Sequence, residues 1–156
     1  HQEIEDILVL KNNKGTEDNR VRKLDYSIQI SKLFYERFIK NAEITLFSPN
    51  HVPDLYEAFG MPEFDSLYLK YEKDKSIPKK TIGAQDLFQA LLKERAETGR
   101  IYIMNLDHCN THSSFKDKVY MSNLCQEITL PTTPVQHIDD KEGEIALCIL
   151  SAINLG

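Results

Sequence analysis

In the segment Ser122-Asn123-Leu124-Cys125-Gln126-Glu127, an amide, a thiol and a carboxylate occupy alternate positions. A thiol can surrender hydrogen, a carboxylate can take a proton, and an amide can hold a hydroxyl group. Together they suit redox and proton chemistry on a polar organic substrate. One substrate requires one face. Successive side chains of an extended backbone point to opposite faces, which would set Asn123, Cys125 and Glu127 on one side, roughly 7 Å from one to the next. A helix turns about 100° per residue and would carry Cys125 away from the other two. The spacing therefore predicts an extended segment.

A second thiol, Cys148, lies in the apolar run Ile145-Ala146-Leu147-Cys148-Ile149-Leu150. A run apolar on both faces reads as a buried strand of a parallel sheet, with neighbours on each side. A redox role for Cys148 needs another thiol whose Cα comes within about 7 Å. Cys125, Cys109 or a cysteine upstream of these residues could supply it. Three cysteines, an odd number, with no secretory signal pattern at the start, do not suggest a structural disulfide framework. Any disulfide is expected to be transient, within a redox cycle, in a cytoplasmic protein.

The cluster Asp107-His108-Cys109-Asn110-Thr111-His112 raises the question of metal. Its spacing matches none of the usual zinc frameworks, so no metal site is expected, and a hydrogen-bonded loop supporting the neighbouring strand is the plainer reading. A zinc-binding interaction module on His108, Cys109 and His112 is kept as a rival. The six glycines form neither a dinucleotide fingerprint nor a phosphate loop, and no serine sits in a nucleophile elbow.

The elements that must position these residues alternate between short strand-like stretches and longer helical patterns, an α/β signature. After a polar turn over Lys11 to Gly15, Tyr26 to Ile30 reads as a strand. Ser31 then caps a helix with Leu33, Phe34, Phe38 and Ile39 on its apolar side. Ile44 to Phe47 reads as a second strand, and Pro53 to Phe59 as a short helix that Gly60 stops. Pro62 to Lys73 carries Phe64, Leu67, Tyr68 and Tyr71 at helical spacing, a stripe expected in the core. Ala84 to Ala96 repeats that pattern with Ala84, Leu87, Phe88 and Leu91, and Gly99 ends it. Ile101 to Met104 reads as a further strand, and Cys109 to Met121 as loop.

A net charge of -5 and a pI near 5.5 give no broad basic field, so no nucleic-acid partner is expected. Arg20, Arg22 and Lys23 sit beside Glu17, Asp18 and Asp25, while Lys70, Lys73, Lys75, Lys79 and Lys80 are interleaved with Glu72 and Asp74. Both stretches read as solvated faces or loops. The apolar runs are far shorter than a membrane span, so no membrane partner is expected.

Taken in order, several blocks resemble the large, catalytic subunit of class I ribonucleotide reductases of the bacterial or phage type. They are Asp6-Ile7-Leu8-Val9-Leu10-Lys11-Asn12-Asn13, Ile44-Thr45-Leu46-Phe47-Ser48-Pro49, Thr98-Gly99-Arg100-Ile101-Tyr102, Asp107 to Ser113, Ser122 to Ile128, and Glu144-Ile145-Ala146-Leu147-Cys148. The resemblance implies a central fragment of a ten-stranded α/β barrel, with residues 1–121 ending its first half. Residues 122–130 would form the finger loop through its centre, and residues 144–156 the first strand of the second half.

It also implies roles. Cys125 matches the cysteine that becomes a thiyl radical and removes the ribose 3' hydrogen. Glu127 matches the carboxylate that takes the 3' hydroxyl proton, and Asn123 the amide that hydrogen-bonds the ribose. Cys148 matches one of the thiol pair that reduces the 2' carbon and ends as a disulfide, its partner lying upstream of His1. Arg100 and Tyr102 would lie near the radical route. Such a fragment binds no cofactor itself; the intact enzyme would draw a radical from a metal-containing small subunit and electrons from a thioredoxin or glutaredoxin. Its implied partners are a ribonucleoside diphosphate, that small subunit, the rest of the large subunit or a complementing chain, and a second copy in a homodimer. The competing expectation is a non-catalytic split-gene or structural fragment, inactive alone. Two departures from the family pattern stand out: Gln126, where an apolar residue such as leucine is expected, and a shorter loop over 114–121.

Overall fold

The computed structural model describes residues 1–12, 14, 16–21 and 23–156. The polar turn over 11–15 and the basic cluster around 20–23 include Asn13, Gly15 and Arg22, which lie outside the described residues. Two small sheets form the framework. Strands β1 (Ser27–Ile30) and β4 (Tyr102–Asn105) pair in parallel, Ser27 beside Tyr102 and Ile30 beside Asn105. Strands β2 (Glu43–Phe47) and β3 (Lys79–Gly83) pair antiparallel, from Glu43 opposite Gly83 to Phe47 opposite Lys79.

Parallel neighbours need a long crossover. Between β1 and β4 it carries helix α2 (Lys32–Ile39), the β2–β3 pair, α3 (Pro53–Glu57), α4 (Phe64–Lys73) and α5 (Ala84–Thr98), while α1 (Ile4–Leu8) precedes it and α6 (Leu106–Thr111) follows. The helix signals act as expected. Ser31 is extended, and its Oγ accepts from the Phe34 N–H at 3.4 Å. Phe34 and Phe38 meet Phe88 of α5 with ring centroids 6.0 and 5.1 Å apart. Ile39, expected on the same side, is 78% exposed. It stands about 100° further round the helix than Phe38 and so faces away from α5. On α4, Phe64 and Tyr68 are buried, with Leu67 and Tyr71 packed against the same core. Gly99 ends α5 at φ +70°, where a side chain would be strained.

Strand β3 is absent from the sequence-based reading, because its lysines look like a solvated face. Lys79 Nζ instead donates to the carbonyls of Tyr71, Glu72 and Asp74 at 3.1, 2.7 and 2.6 Å. It thus adds a donor to the carbonyls at the end of α4, of which Tyr71 C=O also accepts from Asp74 N–H, and places a cation at the negative helix pole. Lys80 pairs with Glu5 on α1. Two more lysines of the polar N-terminal region are paired: Lys11 with Asp25, and Lys14 with Glu97 at 3.4 Å.

The edge of β2 away from β3 is closed by side chains. Arg37 donates to the Glu43 carbonyl at 3.2 Å, and the Tyr68 hydroxyl accepts from Thr45 N–H at 2.6 Å and donates to Thr45 C=O at 2.9 Å. Tyr56 donates to the Phe47 carbonyl at 3.2 Å, as does the Gln2 N–H at 3.1 Å. No further strand can pair there without displacing them, so the open sheet is β1–β4.

Two expectations fail in the second half. Cys109 to Thr111 is not loop but the last part of α6. Ile145 to Leu150 forms no strand, and Ile145, Leu147, Ile149 and Leu150 are 81–85% exposed. A strand apolar on both faces needs a partner strand and two covering layers, and none of the described strands pairs with this run. None of the described helices is long and apolar enough to cross a membrane.

Candidate functional site

The approach to the site starts at β4. Leu106 and Val119, both essentially inaccessible, form a small cluster with Met104, and Phe59 and Cys109 pack on it. Asn110 on α6 pairs with Val119 as a peptide group would: its Oδ1 accepts from Val119 N–H at 2.8 Å, and its Nδ2 donates to Val119 C=O at 3.1 Å. One residue on, Gln29 of β1 donates to the Tyr120 carbonyl at 2.7 Å. Lys118 stands 4.4 Å over the Tyr120 ring, and burial lowers its pKa. Val119 is thereby tied to α6 and Tyr120 to β1, and the chain runs on into Ser122.

From there the backbone folds back on itself. Gln126 N–H donates to Asn123 C=O at 3.2 Å, closing a turn with Leu124 and Cys125 at its centre, and Gln126 takes φ +68°. Gln126 Nε2 donates to the same carbonyl at 3.2 Å, while its Oε1 is buried without a partner among the described residues. The neck is closed at Ile128, whose C=O accepts from Ser122 Oγ at 2.6 Å and whose N–H donates to Asn123 Oδ1 at 3.0 Å.

This corrects the extended reading of Asn123 to Glu127. The segment is a turn, because the side chains of Ser122 and Asn123 offer its backbone closer partners than any strand does. Asn123 is half-buried at the neck, and Cys125 and Glu127 are exposed at and just after the tip. Cys148 is also exposed, in the irregular segment 145–150, and all three cysteines are free. The structure gathers Asn123, Cys125 and Glu127 into one small loop. Cys148 is not tied to it by any disulfide.

The rival zinc cluster does not assemble. His108 and His112 are one helical turn apart, ring centroids 5.5 Å apart, and His112 Nδ1 lies 3.2 Å from the His108 carbonyl. Asp107 is committed to the Lys32 N–H. Burial raises the Cys109 pKa, which favours the thiol over the thiolate a metal needs. Among the described residues, no three His, Cys, Asp or Glu side chains could hold a metal together.

Elsewhere, Asp25 accepts from Lys11 and lies 3.7 Å from Arg100, and Lys11 holds its pKa below the usual carboxylate range. Tyr102 is half-buried in β4. An apolar cavity of about 420 Å³ opens between the two sheets, lined by Ile28, Ile30, Leu46, Phe47 and Leu106 among others. None of Asn123, Cys125, Glu127 or Cys148 lines it. Sequence reasoning overlooked Ser122 and Ile128 as parts of the site. The available signal was the Ser-Asn pair, a frequent source of side-chain-to-backbone bonds.

Parallel strands joined through helices, with a thiol displayed on a tight loop beyond one of them, define an α/β domain. The profile of the ribonucleotide reductase barrel domain matches residues 1–156, and the chain belongs to that family. Its fold is therefore part of an α/β barrel. It is 60% identical to the ribonucleoside-diphosphate reductase subunit alpha of Haemophilus influenzae, over 100% of this chain and 21% of that protein. It is 58% identical to the ribonucleoside-diphosphate reductase 1 subunit alpha of Escherichia coli, over 86% of this chain and 18% of that one. It is 46% identical to the ribonucleoside-diphosphate reductase subunit alpha of Enterobacteria phage T4, over 99% of this chain and 21% of the phage protein. The chain thus spans about a fifth of the length of these relatives.

Proposed function

We propose that this chain is the centre of the large subunit of a ribonucleoside-diphosphate reductase and carries part of its active site. The observation that carries the reading is the closed loop 122–128, which displays Cys125 at its tip with Asn123 and Glu127 on either side. Residues 122–130 are then the finger loop of a ten-stranded barrel, 1–121 the end of its first half, and 144–156 the first strand of its second half. The apolar cavity and the exposed run Ile145 to Leu150 are surfaces that the remaining barrel covers.

In this mechanism a radical originating on a metal-containing small subunit arrives at the Cys125 sulfur. The Cys125 thiyl removes the 3' hydrogen atom of a ribonucleoside diphosphate, leaving a carbon radical, while Glu127 accepts the 3' hydroxyl proton. Asn123 holds the ribose through its amide. The 2' hydroxyl leaves as water after protonation. Cys148 and a thiol outside these residues supply two electrons and two protons and join as a disulfide: one proton leaves in the water, the other ends on the 2' carbon, and Glu127 returns its proton to the 3' oxygen. Cys125 then returns its hydrogen to C3', which regenerates the thiyl radical. A thioredoxin or glutaredoxin reopens the disulfide, in keeping with a cytoplasmic setting. A barrel interior shields such radicals from water, and a homodimer is the expected assembly.

Two variants of the full-length subunit test the reading. Cys125→Ser should still bind nucleotide yet form no deoxynucleotide; undiminished turnover would sink the assignment. After a single turnover, Cys148 should be protected from alkylation, and free reactivity there would remove it from the redox pair. The chain alone should be inactive, because its exposed apolar run and its share of the relatives' length leave the site without most of its walls. Turnover by the purified 156 residues with a small subunit and reductant would overturn that expectation.

A further inference from the structure

Ile128 has both backbone groups claimed by side chains from the other limb of the loop. Its C=O takes the Ser122 hydroxyl proton at 2.6 Å, and its N–H is given to Asn123 Oδ1 at 3.0 Å. A backbone N–H can only donate, so the Asn123 atom facing it is the amide oxygen; an inverted amide would oppose two donors. Ser122 Oγ also stands 3.1 Å from that oxygen, but its one proton goes to the closer Ile128 C=O, so the amide orientation rests on the Ile128 N–H. With Oδ1 occupied, Nδ2 keeps its two N–H groups, and none of the described residues accepts from them.

Asn123 therefore meets a ligand as a donor. That suits the lone pairs of a ribose hydroxyl, whose own proton stays available to a carboxylate such as Glu127. We propose that Ser122 is a positioning residue of this site. By donating to the Ile128 carbonyl, it holds the two limbs of the loop at one separation and keeps Ile128 N–H on Asn123 Oδ1. The amide then presents Nδ2 to the substrate, and Cys125 stays at the tip. Ser122 performs no chemistry, since its single proton is committed to Ile128. Without it the limbs can part, and the Asn123 amide can turn and offer oxygen where nitrogen is needed. This inference rests on the reading of Asn123 as the ribose-binding amide.

The test uses the full-length large subunit with its small subunit and reductant, and CDP as the probe. The variants are S122A, S122T, N123A, the double variant S122A/N123A, and C125S. Losing one hydrogen bond of ordinary strength should lower kcat/KM of S122A roughly fivefold, chiefly through KM. S122T keeps a hydroxyl and should stay within about twofold of the parent enzyme. If Ser122 acts through the amide, adding S122A to N123A should cost nothing more. Additive losses in the double variant, or an S122A enzyme with parental kcat/KM, would overturn the assignment. Should S122A fail to fold, S122C takes its place in the cycle with the same two outcomes, being nearly the same size but a weak donor. An active C125S enzyme would instead sink the underlying reading. An inactive C125S with additive losses would sink the role of Ser122 alone.

Discussion

Replacing Tyr68 by phenylalanine isolates one hydroxyl that closes the outer edge of β2. The ring would stay in place, because it packs edge-on against Phe47 at 5.6 Å and tilted against Phe64 at 5.8 Å, contacts that need no oxygen. The hydroxyl bonds both backbone groups of Thr45, at 2.6 and 2.9 Å, in a residue only 6% exposed. Its removal leaves a buried N–H and a buried C=O without partners, each costing about 1–3 kcal/mol. Allowing for partial relaxation of the C=O toward water, the expected loss is about 2 kcal/mol, or roughly thirtyfold faster hydrogen exchange at the Thr45 amide. Burial pushes the Tyr68 pKa up to about 12. A raised acid pKa means the folded state favours the neutral hydroxyl. The stability that burial of the neutral hydroxyl provides should therefore be full below the ordinary tyrosine value near 10 and be lost as pH rises through about 12. Unchanged Thr45 exchange in the phenylalanine variant would refute the argument, since it would mean that the edge is satisfied without Tyr68.

Other outcomes follow from single residues. Asp140 accepts from the N–H groups of Gln136, Glu142 and Gly143 at 2.9, 2.9 and 3.3 Å, bonds to the charged form that lower its pKa from 3.8. The loop it organises should hold above pH 3.8 and loosen as pH falls through the lowered value; Asp140→Asn should abolish that transition in the amide resonances of Gln136 and Glu142. Gly99→Ala should cost about 1 kcal/mol in a denaturation midpoint, from backbone strain alone. Gly60→Ala should cost about 3 kcal/mol, since φ +78° is strained as well and its Cβ would stand 2.6 Å from Leu106 Cγ. Proteases should cut the isolated chain within 145–155 before any helix and spare that segment in the full-length subunit; protection in the isolated chain would show that it pairs without the rest of the barrel.

Local chemistry made much of this protein legible in its residues. Ser31 before an apolar pattern, Pro53 at a helix start and Gly99 at φ +70° past a helix end act within a few residues, so they mean the same thing in any fold. The stripe of Phe64, Leu67, Tyr68 and Tyr71 predicts its buried face for the same reason. The thiol, amide and carboxylate of the candidate site were visible as residue types, and the order of the family's blocks supplied the roles proposed for them. Tertiary partners decided the rest. Lys79 and Lys80 look like a solvated face until β2 supplies a strand to pair with and the end of α4 supplies carbonyls for Lys79. Alternate spacing put Asn123, Cys125 and Glu127 on one extended face, yet Ser122 and Asn123 bond Ile128 and make a turn. The run from Ile145 to Leu150 is the converse case: its composition specifies a buried strand, but burial belongs to the neighbours. A side chain's type carries its chemistry, whereas pairing and burial require a second surface, and only the folded chain determines where that surface is.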